Sequence, residues 1–190
     1  MAAFIVLLLA ALSRLVPHAM HGVGFNFTAV GGGLLFFGAR RPRSLAAGWQ
    51  AAIAVAVMGL TDIYLTTVVF GRHFDVGSYL VTWAWYAAVC LMGSGLLRKV
   101  TALRVVAGVF ASATSFFLLS NFITWIGVPF AMYPHSLAGL SACYTAGVPF
   151  YANDLASTGL VSAALFGLPV LAARMTELLH ASHRQNQPLA

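Results

Sequence analysis

Long apolar runs alternate along this chain with short breaks of polar, basic or glycine residues. The runs lie at 2–16, 22–39, 45–69, 78–97, 102–128 and 154–173. Most are close to the roughly 20 residues that a helix needs to cross a bilayer. They predict an all-α integral membrane bundle of six transmembrane helices, with residues 1–176 as one domain and 177–190 as a C-terminal tail. Met1 to Val16 has the length and apolarity of a signal peptide. No basic residue precedes its apolar stretch, however, and Ser13-Arg14-Leu15-Val16-Pro17 follows in place of a small-residue cleavage site, so it reads as a retained first helix. The longest connection runs from Val128 to Asn153. Within it Pro134 can open a helix, His135 to Ala146 supply about three turns, and Gly147 with Pro149 can close it. This predicts a short separate helix on, or dipping into, the outer surface between helices five and six.

Composition agrees with the pattern. The chain is 61% hydrophobic and 7% charged, against about 25% charged residues in ordinary soluble domains. The net charge of +6 does not point to nucleic acid, because the cations form clusters between apolar runs rather than a basic face. Six crossings put Arg40, Arg41, Arg43, Arg98, Lys99, Arg104, Arg174 and Arg184 on one side and leave Arg14 and Arg72 on the other. By the positive-inside rule both termini are expected to be cytoplasmic. Cys90 and Cys143 are expected to be free thiols, since Cys90 lies deep in an apolar run.

Polar residues are uneven with depth. Near the predicted external helix ends are Asn26, Thr28, Thr61, Asp62, Tyr79, Trp83, Trp85, Ser120, Asn121, Trp125, Asn153, Asp154, Ser157 and Thr158. An acid in hydrocarbon costs about 2.5–3.5 kcal/mol on insertion scales, so Asp62 is expected to face the bundle interior with partners. The economical arrangement points these groups into one outward cavity. It would be lined by Asn26, Thr28, Asp62, Tyr79, Trp83, Asn121 and Trp125, with Tyr133, His135, Tyr144, Asn153 and Asp154 added from the outer segment. Each group also has a plainer role. Trp83 and Trp85 suit an interfacial belt, Ser120 and Asn121 suit bridges between helices, and Asp154 after Asn153 suits a helix N-cap.

Missing chemistry narrows the function. There is no Gly-x-x-x-x-Gly-Lys-Ser/Thr loop and Lys99 is the only lysine, so energy from ATP must come through another subunit. No Ser-x-x-Lys, His-Glu-x-x-His or Cys-x-x-Cys occurs, and nothing signals an enzyme or a resident cofactor. His18, His21, His73 and His135 fall on the outer side without an i, i+4 pair. They leave open a haem- or metal-handling redox protein as an alternative. Close-packing pairs such as Ala47 with Ala51 and Gly93 with Gly95 leave open a structural subunit of a larger complex.

The segments Asn26-Phe27-Thr28-Ala29-Val30, Ser120-Asn121-Phe122-Ile123-Thr124-Trp125 and Tyr133-Pro134-His135-Ser136-Leu137-Ala138-Gly139-Leu140, continuing into Cys143-Tyr144, Pro149-Phe150 and Asn153, resemble an uncharacterised family of small bacterial membrane proteins. That family is in turn similar to the substrate-binding S components of energy-coupling factor (ECF) vitamin transporters. The resemblance runs from the second helix through the sixth. It departs at Ala29, where relatives often carry proline, and near Ala152 and Thr158, where a basic residue and an acid are common. It implies six helices, an outward pocket under a loop, a small vitamin-like cargo with a corrinoid as the first guess, and a coupling module bearing an ATPase as partner.

Overall fold

The computed structural model describes residues 1–16, 27–40, 45–127 and 132–185. Helix α1 spans Ala2–Leu12 and ends in a 3-10 turn, Ser13–Leu15. Helix α2 is Val30–Ala39 and α3 is Ala47–Tyr64, which runs on through a π turn at Leu65–Val69. A 3-10 turn, Val76–Tyr79, leads into α4, Leu80–Leu96. Helix α5 is Ala102–Ile126 and α6 is Leu137–Ser162. A second π turn, Ala163–Gly167, carries α6 into α7, Leu168–Gln185. No strand occurs among the described residues.

Four of these helical stretches are long and apolar enough to cross a membrane: Ala47–Val69, Val76–Leu96, Ala102–Ile126 and Leu137–His180. The first two predicted crossings are shorter. Ala2–Leu15 and Val30–Ala39 are apolar helices below spanning length, and at 1.5 Å per residue α2 covers only about half of a hydrocarbon core about 30 Å thick. Residues 22–26 of the second apolar run lie outside the described residues.

Helix α2 is instead the centre of the bundle. Every residue from Val30 to Gly38 is buried, and α2 packs on α1, α4 and α6. Its glycines explain how one short helix accommodates so many neighbours. A Cβ on Gly33 would stand 2.5 Å from Ala10 Cβ of α1, and one on Gly38 would stand 2.0 Å from the Cys90 carbonyl oxygen of α4. The fit with α4 is reciprocal, because a Cβ on Gly93 would meet the Leu35 carbonyl oxygen at 2.4 Å. Small residues at helix crossings let backbones approach closely where lipid offers no hydrophobic drive to association.

The outer segment differs from the sequence expectation. Among the described residues no separate surface helix precedes the last candidate span. One helix starts at Leu137 and passes through Pro149 to Ser162. Its cap is Ser136, whose hydroxyl accepts the Gly139 N–H at 3.1 Å, rather than Pro134 at a first turn. Gly147 does not end a helix either; it clears room for Asn121 of α5, whose Oδ1 would lie 2.5 Å from any Cβ there. Proline stops helices in water because it removes an N–H and crowds the preceding carbonyl. In a membrane bundle, neighbouring helices and Thr or Ser side chains take up the disturbance. Consequently Asp154 is not an N-cap but a residue of the helix interior.

Helices α5 and α6 run antiparallel, with Thr114 and Tyr151 hydroxyls 3.0 Å apart and Phe36 of α2 meeting Phe166 edge-on at 5.3 Å. Helix α7 therefore leaves the bundle near the start of α5. It continues without a break past residue 176, so the predicted tail begins inside a helix.

Candidate functional site

The ends of α1, α3, α4 and α5 that carry Arg14, Asp62, Tyr79 and Trp125 form one rim of the bundle. Here the helices separate around cavities. A cavity of about 270 Å³ lies beside Arg14, lined by Thr28, Asp62, Tyr79, Tyr86, Phe116 and Asp154 among others. A second of about 270 Å³ opens between α5 and α6, lined by Phe117, Asn121, Tyr133, Cys143, Tyr151, Phe116 and Asp154 among others. A smaller one of about 200 Å³ lies between α4 and α5 and also touches Phe116. The two larger cavities thus share Phe116 and Asp154 in their linings.

The sequence places Arg14 at a helix end and Asp62 near the end of α3, and the fold joins them. The Arg14 guanidinium donates to Asp62 Oδ1 in a salt bridge. It also donates to Thr61 Oγ1 at 2.6 Å and to the Met58 carbonyl at 3.2 Å. The other Asp62 oxygen accepts the Trp83 indole N–H at 2.9 Å. Trp83 in turn stacks on Tyr79 and Phe74, and the Tyr79 hydroxyl pairs with Thr66. Trp85 is buried and donates to Ser115 Oγ at 3.0 Å. Trp83 and Trp85 are therefore internal ties rather than an interfacial belt, and Asp62 is buried with each carboxylate oxygen occupied.

Asp154 presents the contrary case. It is 6% exposed, lies in the middle of α6 and lines both larger cavities. Its Oδ2 has no hydrogen-bond partner, nor do Ser112 Oγ, Thr158 Oγ1 and Ser162 Oγ. The Thr158 hydroxyl interacts with the Asp154 carboxyl one turn away, but Asp154 Oδ2 and Thr158 Oγ1 complete no hydrogen bond of normal geometry. Positions 154, 158 and 162 stack at i, i+4 and i+8 on one face of α6. That face meets α2, since a Cβ on Gly31 would stand 2.5 Å from Thr158 Oγ1 and 3.0 Å from Ser112 Oγ.

The other expected site residues divide. Asn121 lines the α5/α6 cavity and donates from Nδ2 to the Phe117 carbonyl at 2.8 Å, while the buried Cys143 thiol approaches the Asn121 backbone oxygen at 3.4 Å. Tyr133 lines the same cavity. Trp125 donates to the Pro134 carbonyl at 3.0 Å and meets the exposed His135 ring edge-on, so those two secure the entry to α6 instead of lining a cavity. Tyr144 donates to the Leu118 carbonyl at 2.8 Å, and half-buried Asn153 lies outside the cavity linings. Asn26 lies outside the described residues, as do His18 and His21. Among the described residues no three His, Cys, Asp or Glu side chains gather as a metal would require. His73 is exposed in the loop before α4. Beside it the Ser78 hydroxyl and N–H donate to Asp75 Oδ2 at 2.9 and 3.0 Å and hold that exposed carboxyl below its ordinary value.

Sequence reasoning passed over Arg14, Phe116, Tyr151 and Ser112. Arg14 left a signal: a buried acid needs a cation, and only Arg14 and Arg72 were available at that end. No curated protein and no solved structure matches this chain. Its sequence matches the profile of a family of unknown function, DUF6580, over residues 1–180, and the chain belongs to that family.

Proposed function

We propose that this protein is a membrane-embedded binding protein for uptake of a small vitamin-like molecule, working in the manner of an ECF S component. The observation that carries the reading is the pair of cavities that share Phe116 and Asp154 in their linings. Aromatic walls with a few converging polar groups are what a small-molecule site requires. Each volume is a little under the roughly 300–1,000 Å³ of typical ligand pockets, so the cargo is a compact ring compound smaller than a corrinoid, and a larger one would need both cavities. Phe117 and Tyr151, with ring centroids 4.9 Å apart, supply a stacking surface, and Asn121 and Tyr133 supply polar contacts.

In this reading the cavity rim faces outward, the clustered cations face the cytoplasm of a bacterial cell, and both termini lie inside. Energy comes from a partner module bearing an ATPase. Helix α7 suits such a partner: Leu168, Leu171, Met175, Leu178 and Leu179 are exposed and share one stripe of the helix, beyond the end of the bundle.

Native mass spectrometry of gently extracted protein tests the reading. A bound small organic molecule is expected, and it should raise the unfolding temperature when added back. Asn121→Ala is expected to remove that rise while the protein stays folded. An unchanged ligand response in Asn121→Ala and Tyr133→Phe would sink the pocket assigned here.

A further inference from the structure

The buried polar atoms beside Asp154, which lines both larger cavities, raise a question that cargo binding does not answer. Among the described residues, five buried side-chain atoms lack a hydrogen-bond partner, and four of them are Asp154 Oδ2, Thr158 Oγ1, Ser112 Oγ and Ser162 Oγ. The fifth, Gln50 Oε1, belongs to α3, away from this cluster. A buried polar atom left unpaired costs about 1–3 kcal/mol, so four together on the α2-facing side of α5 and α6 demand an occupant.

Three features specify it. All four atoms are oxygens, the donor type that suits hard cations. Only one of them carries formal charge, so a single positive charge balances the set. The one cation lining the same cavity, Arg14, is already engaged by Asp62, Thr61 and the Met58 carbonyl. An acid inside a membrane bundle without a basic partner marks a functional site by default, and ion pathways are among the roles such acids serve. Thr158 Oγ1 and Ser112 Oγ also lie against the same residue of α2, 2.5 and 3.0 Å from where a Cβ on Gly31 would stand. Glycine at that position lets both hydroxyls pack directly against the α2 backbone.

We propose that Asp154, Thr158 and Ser112 form a sodium site reached from the cavities through Asp154, with Ser162 one turn further along the same face. Asp154 neutralises the ion, the hydroxyls replace part of its water shell, and entry is from the rim through either larger cavity. The protein then couples to a sodium gradient as well as, or instead of, a nucleotide-driven partner. The site does not depend on the identity of the cargo.

The test uses the full chain in detergent with no organic ligand. Unfolding temperature is measured in NaCl, KCl and choline chloride at equal ionic strength, and binding of radioactive sodium is counted per chain. A saturable rise specific to sodium is expected, with one ion bound. Asp154→Asn, which keeps the shape, is expected to lose both signals, and Thr158→Val and Ser112→Ala to weaken sodium on the order of tenfold. Equal responses to the three salts, or sodium binding retained by Asp154→Asn, overturns the site. If Asp154→Asn does not fold, unchanged half-saturation in both hydroxyl variants overturns it equally.

Discussion

Asp62 and Asp154 line the same cavity, interrupt apolar helices in the same way, and are both buried, but only Asp62 has its charge met. Arg14 and Trp83 occupy its two oxygens and Thr61 secures the arginine. Asp154 has a free oxygen and three hydroxyls nearby that are no better supplied. The pair shows that burial of an acid in a membrane does not by itself mark function. A carboxylate whose partners are all internal ties helices together. One facing a cavity with its partners missing is built for something that arrives from outside.

The largest effect should come from making Asp62 resemble Asp154. Arg14→Ala strands a buried carboxylate, and loss of one member of such a pair costs about 3–5 kcal/mol. Thermal unfolding in detergent should show a marked loss, whereas Arg14→Met with Asp62→Leu should recover most of it. Equal stability of Arg14→Ala and the wild type would erase the contrast. Next in size, Gly31→Ala pushes a methyl group against Thr158 and Ser112. Overpacking of this kind costs about 1–3 kcal/mol, read as a lower unfolding temperature.

Asp154→Asn sharpens the comparison from the other side. With no sodium or cargo present it should leave stability unchanged or slightly raised, because an uncompensated charge is removed from a buried position. A loss as large as that of Arg14→Ala would mean that Asp154, too, is a structural tie. The smallest effect belongs to exposed Asp75. Its carboxyl titrates below 3.8 because Ser78 donates to the charged form. The cap is therefore complete above about pH 4 and is lost as the pH falls through its lowered value. Between pH 7 and pH 3, Asp75→Asn should show a shallower decline in stability than the wild type.

Much of the fold was legible because hydropathy is local. Each apolar run from 45 to 128 became the helix expected of it, and Arg98, Lys99 and Arg104 fall at the ends of α4 and α5. The outer segment misled because Pro149 and Gly147 carry stop signals calibrated on helices in water. In this bundle Gly147 makes room for Asn121, and the chain around Pro149 remains helical. Of the expected site residues, Thr28, Asp62, Tyr79, Asn121, Tyr133 and Asp154 do line cavities. Trp83, Trp125, His135 and Tyr144 are instead spent on contacts that no spacing rule announces.

By itself the sequence determined the solvent of this protein, the helical state of its apolar runs, and the end of the bundle where polar groups would gather. Those follow from transfer energies summed over neighbouring residues. Only the tertiary structure decided which acid is paired, because Arg14 and Asp62 are separated by 48 positions and their meeting depends on how α1 packs against α3. It also turned the face of α6 that carries Asp154, Thr158 and Ser162 towards α2, leaving those oxygens without the partner that a carboxylate in oil requires.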